Sequence, residues 1–177
     1  SILEKNHSST DLSNAIEISQ TNNIDIRPTW MPFSPWTNQN DLIDIINLIE
    51  NYKLRETVDP IQLTIKLLIP KYSLILQRSE IKEFIKDYDK NSLSYMWDYK
   101  DEEVNKLQVS LFNYLLDTPD LDEHSQYLGM VKIIENMTKS NLRLDSNYRY
   151  KNVPKLSETW FCCAEPSQIQ LDRIKTN

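Results

Sequence analysis

Cys162 and Cys163 are the only cysteines of the chain, adjacent to each other and set between Trp160, Phe161 and the run Ala164, Glu165, Pro166. A thiol pair of this kind offers redox chemistry. Neighbouring Cα atoms across a trans peptide stand about 3.8 Å apart, below the separation at which disulfides usually close, so a bridge between these two would be strained and readily reduced. Such a bridge suits a switch better than a staple. The same residues also read as two small thiols buried side by side. Cysteine chemistry alone leaves both readings open.

A second cluster spans Arg27, Pro28, Thr29, Trp30, Met31, Pro32, Phe33, Ser34, Pro35, Trp36 and Thr37. It follows a run with strand-like alternation, and in parallel α/β architectures ligands bind at the carboxyl ends of strands. Prolines fix φ in this segment, so Trp30, Phe33 and Trp36 either stand ready for a flat ligand or cap the core. Other constellations carry little. His7 and His124 are far apart in sequence and support no metal site. Ser, His and Asp occur without a glycine-flanked nucleophile, and Gly129 is the only glycine, which excludes glycine-rich phosphate loops. The acidic runs Asp101, Glu102, Glu103 and Asp120, Asp122, Glu123 sit where helices should begin, and there negative charge stabilises the dipole.

These residues need elements to hold them. Ser8 with Asp11 resembles a capping box, and Leu12, Ala15 and Ile16 repeat at helical spacing up to Thr21, Asn22, Asn23. Ile24 and Ile26 alternate with Asp25 and Arg27 as in a strand that Pro28, Pro32 and Pro35 cut short. Thr37 or Asn38 can cap the next helix, whose stripe is Leu42, Ile45, Ile46 and Ile49. Ile61, Leu63, Ile65, Leu67 and Ile69 then alternate with Gln62, Thr64 and Lys66 as a second strand, closed by Pro70. Residues 24–69 therefore read as βαβ. Gln62 and Lys66 share one face of that last strand, and an inward Lys66 needs a partner.

Three helices are expected next: one on Ile81, Phe84, Ile85 and Tyr88; one on Val104, Leu107, Leu111 and Leu115, started by Asp101; one on Tyr127, Leu128, Val131 and Ile134. Residues 140–158 lack a clean period and read as a surface loop. A last short helix starts at Glu165, Pro166 and Ser167 and runs through Ile169, Leu171 and Ile174.

The chain has 177 residues, 40% of them hydrophobic, enough for the core of one ordinary domain. A formal net charge of −6 argues against bulk attraction to nucleic acid or an anionic membrane. No apolar run approaches the roughly 18 residues of a membrane span, and no signal-peptide pattern opens the chain. With a single vicinal thiol pair there is no secreted-type disulfide framework. These features point to a soluble cytoplasmic protein. Ser1 in place of methionine, and two strands too few to form a closed sheet, lead to the expectation that the chain is a fragment.

The string Cys162, Cys163, Ala164, Glu165, Pro166 resembles the tail of the radical SAM proteins named for a CUAEP or CCAEP ending, where the first cysteine is selenocysteine in some members. The order His7, Ser8, Asp11, a helix, then Ile26, Arg27, Pro28, Thr29 and Pro32 through Thr37 is similar to the fifth segment of their barrel. Val58, Asp59, Pro60, Ile61, Gln62 through Leu68, Ile69, Pro70 looks like the sixth and last strand. The resemblance covers residues 1 to about 76 and again 160–166.

That resemblance implies an α/β fold: the C-terminal part of a partial (β/α)6 radical SAM barrel, with two parallel strands and their helices, followed by a mainly helical extension. Residues 1–76 would be the last third of the barrel, 77–139 the extension, and 140–177 a loop and the Cys-Cys-Ala-Glu-Pro tail. It implies reductive cleavage of S-adenosylmethionine at a [4Fe-4S] cluster in the intact protein. Pro32, Phe33, Pro35, Trp36 and Gln62 would contribute to binding S-adenosylmethionine or substrate, and Cys162 and Cys163 would serve as redox-active catalytic residues. The family's CxxxCxxC motif is absent, so the chain alone is expected to bind no cluster and to need the missing N-terminal barrel portion as its partner. Substrate is not named by the sequence. The rival expectation is a small non-catalytic helical interaction module with structural thiols.

Overall fold

Helix α1 (Ser9–Thr21) begins where Ser8 Oγ accepts a hydrogen bond from Asp11 N and the Asp11 carboxylate accepts one from Ser8 N at 2.7 Å. These two bonds satisfy amides that a helix start otherwise leaves orphaned. The computed structural model describes residues 6–145 and 148–150. Helix α2 (Gln39–Asn51) repeats the device with Asn38 and Asp41, and it buries Leu42, Ile46 and Ile49. Helix α3 (Glu102–Asp117) is capped by Asp101, and α4 (Glu123–Thr138) by Asp122. Asn23, Lys53 and Lys139 take left-handed φ values of 54°, 55° and 54° just beyond α1, α2 and α4. In a chain with one glycine, asparagine and lysine must make the reversals that glycine usually makes at helix ends.

The fold is thus mixed α/β, with four helices and one small antiparallel sheet among the described residues. Two sequence expectations need correction. Residues 24–31 and 61–69 do not form strands. The chain turns as a 3-10 helix over Pro60–Thr64, with Pro60 at its start and Gln62 N donating to Asp59 O at 2.9 Å. Alternation there suggested two distinct strand faces, yet Gln62, Leu63, Thr64 and Ile65 are all buried in the turn. The polar side chains are absorbed by backbone: Thr64 Oγ1 donates to Ile61 O at 2.8 Å, and Gln62 Oε1 accepts from Trp30 N at 3.0 Å.

What remains of the expected parallel pairing is one bridge, Phe33 beside Lys66. Phe33 N donates to Ile65 O at 3.2 Å, and Leu67 N donates to Phe33 O at 2.7 Å. Helix α2 makes the crossover between the two partners.

The second correction concerns Ile81, Phe84, Ile85 and Tyr88. Their helical spacing is fortuitous, because Ile85–Asp89 is β1, paired antiparallel with β2 (Ser94–Trp97). The turn decides it. The Asp89 carboxylate accepts from Asn91 N at 3.0 Å, from Ser92 N at 3.2 Å and from Ser92 Oγ at 2.9 Å, and Leu93 takes φ 55°. An aspartate that can cap its own turn favours a hairpin over a continued helix. Tyr88 and Tyr95 then pair across the strands with ring centres 5.1 Å apart.

The main core gathers Ile16 of α1, the α2 stripe, Phe33, Leu54, Val58, Leu63 and the inner faces of α3 and α4. A smaller cluster of Leu67, Ile69, Ile81 and Trp97 seats the hairpin. Tyr114 of α3 packs directly on Gly129 of α4, where a Cβ would overlap its ring and hydroxyl.

Candidate functional site

The proline-rich segment packs inward in this chain. Pro32, Phe33 and Pro35 are buried and Trp36 is half-buried. Phe33 meets Tyr99 edge-on with ring centres 6.3 Å apart, and Trp36 meets Phe84 at 6.0 Å. Thr37 locks the loop, its Oγ1 donating to Pro32 O at 2.9 Å and accepting from Ser34 N at 2.9 Å. Lys100 N donates to Pro35 O at 3.0 Å, which ties the loop to the start of α3. Gln62 is fully buried, and its Nε2 and the Trp30 Nε1 find no acceptor among the described residues.

Lys66 lies beside this segment with an aromatic partner. Its Nζ stands 5.0 Å from the Trp97 ring centre and 5.7 Å from that of Tyr99, and Trp97 Nε1 donates to Leu67 O at 2.9 Å. A half-buried ammonium against two ring faces is stabilised without a carboxylate.

Cys162 and Cys163 lie outside the described residues. Among the described residues no group of three His, Cys, Asp or Glu is placed to hold a metal ion. Two adjacent thiols cannot supply the ligands of a cubane cluster, so the residues present do not fit a [4Fe-4S] group. Pro32, Phe33 and Pro35 are buried in the packing of this segment.

A different site is assembled at the C-terminal end of α2. Glu50 falls one turn after Ile46, at the border of the buried stripe. Arg55 reaches it from the following turn with Nε at 2.7 Å from Oε1 and Nη2 on Oε2, both side chains almost fully buried. From α4 the Tyr127 hydroxyl donates to Glu50 Oε1 at 2.8 Å. The segment after α4 closes over the pair: Asp145 N donates to Glu50 Oε2 at 3.4 Å, Asp145 O accepts from Arg55 Nη2 at 3.5 Å, and the Tyr148 hydroxyl donates to the buried Glu56 carboxylate.

Burial pushes the Tyr127 hydroxyl far above its ordinary pKa, and the Glu50 charge adds to that. Burial, then the hydrogen bond to Glu56, does the same to Tyr148. Burial opposes the Arg55 charge, but the hydrogen bonds and charge of Glu50 outweigh it and raise the guanidinium. The Tyr127 and Tyr148 hydroxyls and the Arg55 guanidinium therefore hold their protons tightly, which suits a clamp.

Next to the clamp opens a cleft of 360 Å³, backed by Ile24, Ile26 and Leu54 and rimmed by Asp25, Lys53 and Arg149. Glu56 and Tyr148 of the clamp form one of its walls. Sequence reading missed this site. The usable signal was Glu50 itself, a carboxylate four residues beyond Ile46, which at that position demands a cation. No helix among the described residues is long and apolar enough to cross a membrane. Comparison with protein-family models, with curated proteins and with solved structures found no match.

Proposed function

We propose that this chain is the C-terminal portion of a radical SAM enzyme, with its Cys162–Cys163 tail taking a redox part in the reaction. The single observation that carries the reading is the parallel bridge between Phe33 and Lys66, with α2 as the crossover between them. A parallel neighbour joined through a helix is the repeat unit of a (β/α) barrel wall. In this reading the Phe33–Lys66 bridge is the part of that wall this chain contributes, and binding of S-adenosylmethionine and of the [4Fe-4S] cluster would be completed by a preceding part of the barrel. The Cys-Cys-Ala-Glu-Pro string adds the second line of support.

The test is made on the polypeptide in which these residues occur naturally, purified without oxygen. Cluster absorption together with 5′-deoxyadenosine release from S-adenosylmethionine supports the proposal; a natural polypeptide without a CxxxCxxC segment overturns it. A second reading, a non-catalytic interaction module with structural thiols, is favoured by the exposure of Tyr72 and Leu74, 87% and 77% accessible. Apolar side chains so open to water suit a partner surface.

A further inference from the structure

The cleft beside the clamp is lined by two cations, Lys53 and Arg149, and by three carboxylates, Asp25, Glu56 and Asp145. Lys53 and Arg149 at its rim make no ion pair among the described residues, and neither does Asp25. Glu56, in contrast, is already engaged by the Tyr148 hydroxyl, and Asp145 has partners of its own. The wall behind these charges is apolar, and one of its members, Ile24, is 60% exposed. Among the described residues Lys53 and Arg149 are thus open to a carboxylate, Asp25 to a cation, and Ile24 to hydrocarbon.

We propose that this cleft binds a free α-amino acid with an apolar side chain. Arg149 and Lys53 would hold the α-carboxylate, Asp25 the α-ammonium, and Ile24, Ile26 and Leu54 the side chain. A simple anion leaves Asp25 unmatched, and a simple amine leaves two cations unmatched. The volume of about 360 Å³ is at the small end of ligand sites and has room for an amino acid. The clamp explains why the wall is rigid enough to be selective: Glu50, Arg55 and Tyr148 pin the segment that carries Arg149 against the end of α2. The site lies at the start of the segment leading to Phe33, apart from Pro32 to Trp36, so the inference stands whether or not the radical SAM reading does.

The test is a nuclear magnetic resonance titration of the isotope-labelled 177-residue chain with L-leucine, 4-methylpentanoate, which lacks the ammonium, and 3-methylbutylamine, which lacks the carboxylate. The expected result is saturable shifts of backbone amides at 24–26, 53–57 and 148–149 with L-leucine. Binding of each analogue should be about tenfold weaker, the value of one charge-assisted contact. Arg149→Gln and Asp25→Asn, both exposed positions, should keep the thermal midpoint and lose about tenfold in leucine affinity. No saturable shift, analogues that bind as well as leucine, or variants that bind as tightly as the parent would each overturn the proposal.

Discussion

The guanidinium carbon of Arg55 stands 4.1 Å from the ring centre of Tyr148 while its nitrogens fork onto the Glu50 carboxylate. One side chain thus joins the end of α2 to a segment 93 positions further along the chain. Removing it leaves Glu50 charged and buried. Arg55→Ala should cost about 3–5 kcal/mol, the range for breaking a buried pair. Urea unfolding measures it. The double replacement Glu50→Leu with Arg55→Met should cost clearly less than Arg55→Ala, since no charge is then stranded.

Alkaline sensitivity follows from the two raised tyrosines. A group whose folded-state pKa exceeds its unfolded value gives stability that is complete below the unfolded value, about 10 for tyrosine, and is lost as pH rises beyond it. The thermal midpoint should therefore fall steeply above about pH 10. Tyr127→Phe with Tyr148→Phe should flatten that fall while lowering the midpoint at neutral pH. A parent protein whose midpoint is level from neutral pH to beyond the tyrosine range would contradict the geometry of the clamp.

Gly129 should resist replacement even though it lies inside a helix. Alanine there would gain about 1 kcal/mol of helix propensity but must displace the Tyr114 ring, an overpacking cost of about 1–3 kcal/mol. The expected net effect is a loss of about 1 kcal/mol. In a Tyr114→Leu background the same change should become stabilising, and a double-mutant cycle by chemical denaturation reads the difference.

The hairpin is fastened by one indole. Trp97→Phe keeps the ring surface in the smaller cluster but leaves the buried Leu67 carbonyl without its donor, at a cost of about 1–3 kcal/mol. Hydrogen exchange should report it locally, with Tyr95 N, bonded to Ile69 O at 2.9 Å, exchanging faster while amides of α3 and α4 stay protected.

Reconstitution of the 177-residue chain with iron and sulfide should yield no stable [4Fe-4S] cluster. Cys162 and Cys163 offer two adjacent thiolates where a cubane needs three or four well-spaced ligands. Stoichiometric iron with a charge-transfer band that survives desalting would be the contrary result.

Helix starts were legible because their causes are local. Ser8 with Asp11, Asn38 with Asp41, and Asp101 each sit within one turn of the amides they satisfy, and the stripes behind them repeat every three or four residues. The hairpin and the 3-10 turn were not legible, because their causes lie at a distance. Ile81 and Phe84 fit a helix until Asp98 N donates to Phe84 O and Trp97 reaches Leu67. Gln62 and Thr64 fit the alternation of a strand until α3 packs over them and Gln108 Nε2 donates to Thr64 O at 3.1 Å. The clamp is the extreme case. Glu50 borders the apolar stripe of α2, but only folding sets Tyr127 of α4 on its carboxylate and lays Tyr148, whose hydroxyl bonds Glu56, over the Arg55 guanidinium. Charge complementarity between residues far apart in sequence has no period to read; it exists only once the backbone has folded.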